Sequence, residues 1–258
     1  MVATKRRKAR KRHVQLSLLD ASGTKARDPR GGKRAGAGRP PKGARAGSPH
    51  KRRKAFKARC PLHVVLRVLP VMGALRRRRM YKALRAATIT AASHEDVRIV
   101  QLSIQRTHVH LLVEAEHKTA LARRMKGFQI SAAKLMNRAL GGETRRRGQV
   151  FADRYHVEII ETPRQARHAL AYVVNNWRKH HEDRDAVART WLVDPFSSGC
   201  SFTGWKQHET ITWRLPETYE PLVVWRPRTW LLREGWRKHG LIDCYEVPSE
   251  KRVARPRA

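Results

Sequence analysis

Residues 97–116, Val97-Arg98-Ile99-Val100-Gln101-Leu102-Ser103-Ile104-Gln105-Arg106-Thr107-His108-Val109-His110-Leu111-Leu112-Val113-Glu114-Ala115-Glu116, hold two runs rich in β-branched residues. The link between them, Gln105 to Thr107, is short enough for a hairpin. Val97–Ile104 and His108–Glu116 therefore read as neighbouring antiparallel strands. Side chains alternate across a strand. Val109, Leu111 and Val113 turn to a core, while His108 and His110 stand together on the opposite side, with Glu114 beside them.

The chain outside this hairpin completes a fold. His63–Leu69 is a third β-branched run and stops at Pro70. Within Leu75–Ala92, Met80, Leu84, Ala87 and Ala91 recur at spacings of four, three and four, which predicts a helix with one buried face. After the hairpin, Thr119 is placed to cap a second helix. Its apolar line is Leu121, Met125, Phe128, Ala132, Leu135 and Ala139, and Gly141-Gly142 ends it. Tyr155–Glu161 is a fourth strand, and Pro163 opens a last helix running to about His181. The order β-α-β-β-α-β plus a final helix predicts an α+β fold of the ferredoxin-like, split βαβ type. Such a fold is an antiparallel sheet with helices on one face and the other face left free for a ligand. This unit occupies residues 60–182.

The flanking segments differ in kind. The 258 residues carry 57 Lys and Arg against 21 Asp and Glu, a net charge of +36. Residues 1–59 hold 21 of those cations and only two acids, Asp20 and Asp28. So polar a segment buries too little apolar surface to offset its ordering entropy and reads as a disordered basic arm. Gly38-Arg39-Pro40 within it has the form of a minor-groove hook, but a non-specific phosphate-binding arm is the preferred reading. Residues 183–258 form an irregular Trp-rich extension with six of the seven tryptophans. A short helix is expected over Thr229–Gly240. Packing on the main unit is preferred to a base-stacking role for these rings.

Composition also excludes classes of function. No run approaches the roughly 18 apolar residues of a membrane span, and the basic N-terminus lacks a secretory apolar region. Cys60, Cys200 and Cys244 lie far apart, which argues against a disulfide framework or a zinc knuckle and fits a reducing compartment. The charge implies a polyanionic partner, DNA or RNA. A cytoplasmic, nucleoid-associated protein without membrane contact is expected.

His108 and His110 at this spacing can share one divalent metal; two surface histidines is the plainer reading of the pair alone. The last helix bears on the choice. Its apolar stripe is Ala166, Leu170, Val173 and Trp177. At about 100° per residue Tyr172 lies off the stripe's centre, with Asn176 one turn further along the same side. A phenolic nucleophile beside a metal ligand and a rim tyrosine with an exposed hydroxyl both fit this helix. Arg76–Arg79, Arg123, Arg124, Lys126, Lys134, Arg138, Arg145, Arg146 and Arg147 offer phosphate contacts that would position DNA without reading it. Asp153-Arg154 supports either the site or the strand start.

In combination, His108-Val109-His110-Leu111-Leu112-Val113, the long helix, Phe151-Ala152-Asp153-Arg154-Tyr155-His156, and Tyr172 followed by Asn176 resemble the single-tyrosine HUH transposases. The resemblance covers roughly residues 60–200 and is nearest to the branch associated with repeated extragenic palindromes. It departs at Thr107, where relatives often have Asn, and at Trp177-Arg178-Lys179, where a Pro-containing run is common. The resemblance implies a ferredoxin-like fold and a site in which His108, His110 and Asn176 hold Mg²⁺ or Mn²⁺. It implies that Tyr172 cuts single-stranded DNA beside a hairpin, giving a 5′-phosphotyrosine and a free 3′-OH. Lys126, Lys134, Arg138, Arg145, Arg146, Arg147 and Arg154 would contact DNA. The expected partner is single-stranded or hairpin DNA of repeated palindromic elements, with a homodimer also in view. A binder using the same sheet and arm without catalysis is the alternative. The sequence contains no P-loop and no acidic cluster of the two-metal nuclease kind.

Overall fold

The structure, a computed structural model, describes residues 53–92, 94–141, 146–184, 187–207 and 219–248. In chain order the main elements are β1 (Leu62–Arg67), α1 (Arg78–Ala92), β2 (Val97–Ile104), β3 (His108–Ala115), α2 (Lys118–Leu140), β4 (His156–Ile159), α3 (Pro163–Lys179) and a short α4 (Trp230–Arg233). The strands form one sheet in the order β2-β3-β1-β4, with every neighbouring pair antiparallel. This is the expected β-α-β-β-α-β order with α3 appended.

Strand alternation builds the first core. Leu62, Val64 and Leu66 of β1 and Val109, Leu111 and Val113 of β3 pack with Met80 and Leu84 of α1 and Leu121, Met125, Phe128 and Ala132 of α2. Met136 joins the buried line of α2, while Leu135 is only partly buried. The cap of α2 is His117, not Thr119: its Nδ1 accepts the Ala120 N–H at 3.1 Å, so the helix begins at Lys118. Pro70 ends the first strand by opening a 3-10 turn, and α1 starts at Arg78 rather than Leu75. Thr162 and Gln165 form a capping box in front of α3, with Pro163 in the first turn.

The second sheet face is not free. Leu112 and Val100 pack there against Ala166, Leu170, Val173 and Val174 of α3 and Trp205, Leu231 and Trp236 of the C-terminal segment. α3 carries apolar residues around more of its circumference than one sheet contact can cover, and the tryptophans cover the remainder. Trp205 and Trp236 therefore pack as core, whereas Trp230 is exposed. The same segment also covers the β2 edge: the Ile104 N–H donates to the Phe196 carbonyl, and the Trp225 N–H to that of Ile99, each at 2.8 Å. An unpaired strand edge is thereby protected. The β2 and β3 half of this face is covered, whereas Arg67 of β1 and His156 of β4 remain exposed on the other half.

Part of the basic arm belongs to this unit. Arg53 lies 3.6 Å above the Tyr155 ring and donates to the Tyr155 carbonyl at 2.9 Å, and Phe56 packs against the core. A single aromatic among cations carried too little signal to mark that boundary. Gly38-Arg39-Pro40 lies outside the described residues. No helix among the described residues is long and apolar enough to cross a membrane.

Candidate active site

The histidine side of β3 meets α3. The His110 and Tyr172 rings are in edge contact with centroids 5.1 Å apart, and the His108 and His110 rings are 4.6 Å apart. One turn beyond Asn176, His180 contacts the His108 ring at 5.5 Å. Tyr172, Asn176 and His180 thus form one line along α3, and its two ends touch the two imidazoles of β3. Asn176 between them is fully buried, and neither of its amide atoms has a hydrogen-bond partner among the described residues. His110 Nε2 is likewise buried and unpartnered among them. Stranded polar atoms of this kind are costly unless something satisfies them.

Electrostatics keep the imidazoles neutral. Burial lowers the His108 pKa to about 4, with the nearby charges of His180 and Arg67 acting in the same direction. Burial also holds His110 well below its ordinary value, helped by His63 and His108. Neutral rings offer lone pairs to a cation without first losing a proton. Each ring has a partner at Nδ1: the Thr107 hydroxyl at 3.2 Å for His108, and His63 Nε2 at 3.0 Å for His110. The Lys179 ammonium sits 5.2 Å from the Tyr172 ring centre. Among the described residues, no group of three or more His, Cys, Asp or Glu is arranged to hold a metal. Asn176 contributes a buried amide to the same helical line as Tyr172 and His180.

Sequence reasoning missed His63, Lys179 and His180. His63 had a readable signal, because alternation along β1 puts it opposite Leu62 and Val64, on the face of the histidine pair. His180 follows Asn176 by one helical turn and lies within the expected helix, so the same 3.6-residue period that links Tyr172 to Asn176 could have placed it.

The expected DNA cations are dispersed. Lys126, Lys134 and Arg138 are exposed on α2, which packs on the sheet face opposite α3. Arg146 folds back onto Asn137 Oδ1 and the Gln149 carbonyl. Arg147 and Arg154 are exposed, and Arg145 lies outside the described residues. Several others have structural duties. Arg76 makes a two-pronged bond to Asp194 with both distances 2.9 Å, and Arg123 and Arg124 bind Asp96. Arg77, Arg78, Arg79 and Lys82 line an open cleft of about 450 Å³. Glu114, on the histidine side, is buried and accepts hydrogen bonds from the Arg228 and Thr229 N–H groups, and so serves the C-terminal segment.

Residues 56–176 match the family described as IS200-like transposases, a span that runs from just before β1 to Asn176. The match spans just under half of the chain, so it is residues 56–176 that are similar to the IS200-like transposases. Among solved structures it is similar to a REP-associated tyrosine transposase bound to a REP hairpin, at 19% identity and a TM-score of 0.43, over 59% of this chain and 84% of that one. A protein from Deinococcus radiodurans R1 assigned as a transposase aligns at 15% identity and a TM-score of 0.34, over 53% of this chain and 95% of that one. A comparison with curated proteins finds no match.

Proposed function

We propose that this protein is a metal-dependent transposase that cleaves and rejoins single-stranded DNA beside hairpins, with Tyr172 as nucleophile. The observation that carries this reading is the meeting of Tyr172 with the His110 ring, which in turn touches His108, on a helix that also carries a buried Asn176 whose amide has no partner among the described residues. The match of residues 56–176 to the IS200-like transposases and the net charge of +36 support a DNA substrate. In this reading residues 60–182 are the catalytic unit, 1–59 the arm and 183–258 an extension, and the protein works in the cytoplasm on the nucleoid.

A phenol is a weak nucleophile near neutral pH, with a reference pKa near 10. His108, His110 and Asn176 fit a divalent cation, because they offer two neutral imidazoles and a buried amide oxygen in need of a partner. When bound, that cation polarises the scissile phosphate and stabilises charge developing in the transition state. Imidazole and amide donors suit Mn²⁺ better than Mg²⁺, which prefers carboxylates and water. Tyr172 Oη forms a bond to phosphorus and gives up its proton, while the P–O3′ bond breaks and the 3′ oxygen leaves as a hydroxyl. The product is a 5′-phosphotyrosine that conserves the ester for a later 3′-OH to reseal. The exposed half of the sheet face at Arg67 and His156 is the open approach for a strand.

A 3′-labelled hairpin oligonucleotide with Mn²⁺ tests the reading. The labelled downstream fragment is expected to become covalently attached to the wild-type protein and not to Tyr172→Phe, which still binds the hairpin. Equal attachment by the Phe variant rejects Tyr172. Hairpin binding with no adduct from the wild type would favour the non-catalytic binder.

A further inference from the structure

We propose that His63 is a positioning residue that fixes the protonation geometry of His110, so that His110 presents a lone pair to the metal site. This inference rests on the metal-site reading above but is carried by a separate set of contacts. His63 lies on β1 opposite Leu112, and Val65, two residues on, lies opposite His110. His63 and His110 are therefore diagonal neighbours on one sheet face. Their rings stack at 24° with centroids 5.1 Å apart, and His63 Nε2 is 3.0 Å from His110 Nδ1.

Two neutral imidazoles can share that contact in two ways. In one, His63 donates from Nε2 and His110 carries its proton on Nε2. That proton would point from a buried nitrogen with no acceptor within reach among the described residues. In the other, His110 donates from Nδ1 to His63 Nε2, and the buried His110 Nε2 keeps its lone pair. Only the second makes His110 a ligand. A ligating histidine ordinarily gives its other N–H to a carboxylate, a carbonyl or water, which orients the ring and fixes the tautomer. Here an imidazole from the neighbouring strand takes that place. The same His63 ring meets the edge of Tyr172, with centroids 5.7 Å apart. One side chain thus braces both the metal donor and the nucleophile.

His63→Phe keeps the ring and removes the acceptor, whereas His63→Gln offers an acceptor without the ring. Mn²⁺ binding by titration calorimetry, with His110→Ala as the site control, should weaken roughly 10- to 100-fold in His63→Phe and about 3-fold or less in His63→Gln. Nitrogen-detected NMR of the metal-free wild type should place the His110 proton on Nδ1. That measurement needs no variant to fold. A wild-type His110 protonated on Nε2, or a folded His63→Phe with unchanged Mn²⁺ affinity, would overturn the assignment. Metal binding that depends on His63 without any DNA cleavage would support it while overturning the strand-transfer reading. A wild type showing no Mn²⁺ binding sensitive to His110→Ala would overturn both.

Discussion

The edge of the His110 ring rests against Tyr172 at a centroid separation of 5.1 Å, joining β3 to α3 at a place where both carry polar aromatic side chains. This proximity has a consequence for metal dependence. If the phenol acts beside a cation held by His108, His110 and Asn176, a chelator should abolish hairpin nicking and Mn²⁺ should restore it, more effectively than Mg²⁺ at equal concentration. His108→Ala and His110→Ala should each lower the nicking rate by about three orders of magnitude, the range seen when one electrostatic element of a site is removed. Hairpin affinity should stay within about 3-fold in both. Gel assays of nicking and binding in parallel check this. Nicking that survives chelation in the wild type would remove the cation from the chemistry.

Much of this arrangement is legible in the sequence because it rests on two periodicities. The period of two along β3 separates His108 and His110 from Val109 and Leu111. The 3.6-residue period along α3 puts Tyr172 and Asn176 on one line. The partner of each face is not legible in the same way. Nothing in His63-Val64-Val65 says which strand lies beside it, and only the β1–β3 register brings His63 to His110. The covered second face is equally hidden. Trp205 and Trp236 sit in a segment with little regular structure, so no periodicity shows that they fill the space above α3 and Leu112.

Glu114 separates a structural from a chemical role. On sequence it shares the histidine face and has the type of a catalytic assistant. In the structure its carboxylate is buried and accepts from the Arg228 N–H, the Thr229 N–H and the Thr229 hydroxyl, each at 2.8 Å. Glu114→Gln turns one acceptor into a donor facing donors. The expected result is a loss of about 1–3 kcal/mol in denaturant unfolding, with the nicking rate of the folded fraction unchanged. A folded variant with its rate reduced tenfold would return Glu114 to the chemistry.

Arg76 gives a second stability test. Its guanidinium grips the fully buried Asp194, which also accepts the Phe196 N–H at 3.0 Å, and it donates to the Ile104 carbonyl at 3.1 Å. Burial alone would lower the Arg76 pKa, but Asp194 and Glu182 reverse that and raise it. Arg76→Met leaves a carboxylate without its counter-charge and should cost about 3–5 kcal/mol. Adding Asp194→Asn should recover part of that loss, because the buried charge is then gone. Chemical denaturation of the two variants decides it; a double variant no better than the single would locate the cost in packing.

The cations of α2 make the last prediction, and it follows from the layering of the fold. Lys134 and Arg138 are exposed on a helix whose other side is buried with β1 and β3, while Tyr172 lies on the opposite sheet face. If they bind phosphates, they do so at a distance from the scissile bond and hold DNA without touching the reaction. Lys134→Ala with Arg138→Ala should then weaken binding of all hairpins alike. It should also reduce the slope of log affinity against log salt by about two, roughly one for each phosphate that is no longer neutralised. At saturating DNA the nicking rate should be unchanged. A normal slope would make α2 a solvated basic face. A lower rate at saturation would mean that DNA wraps the sheet edge and that the two faces act on one bound strand.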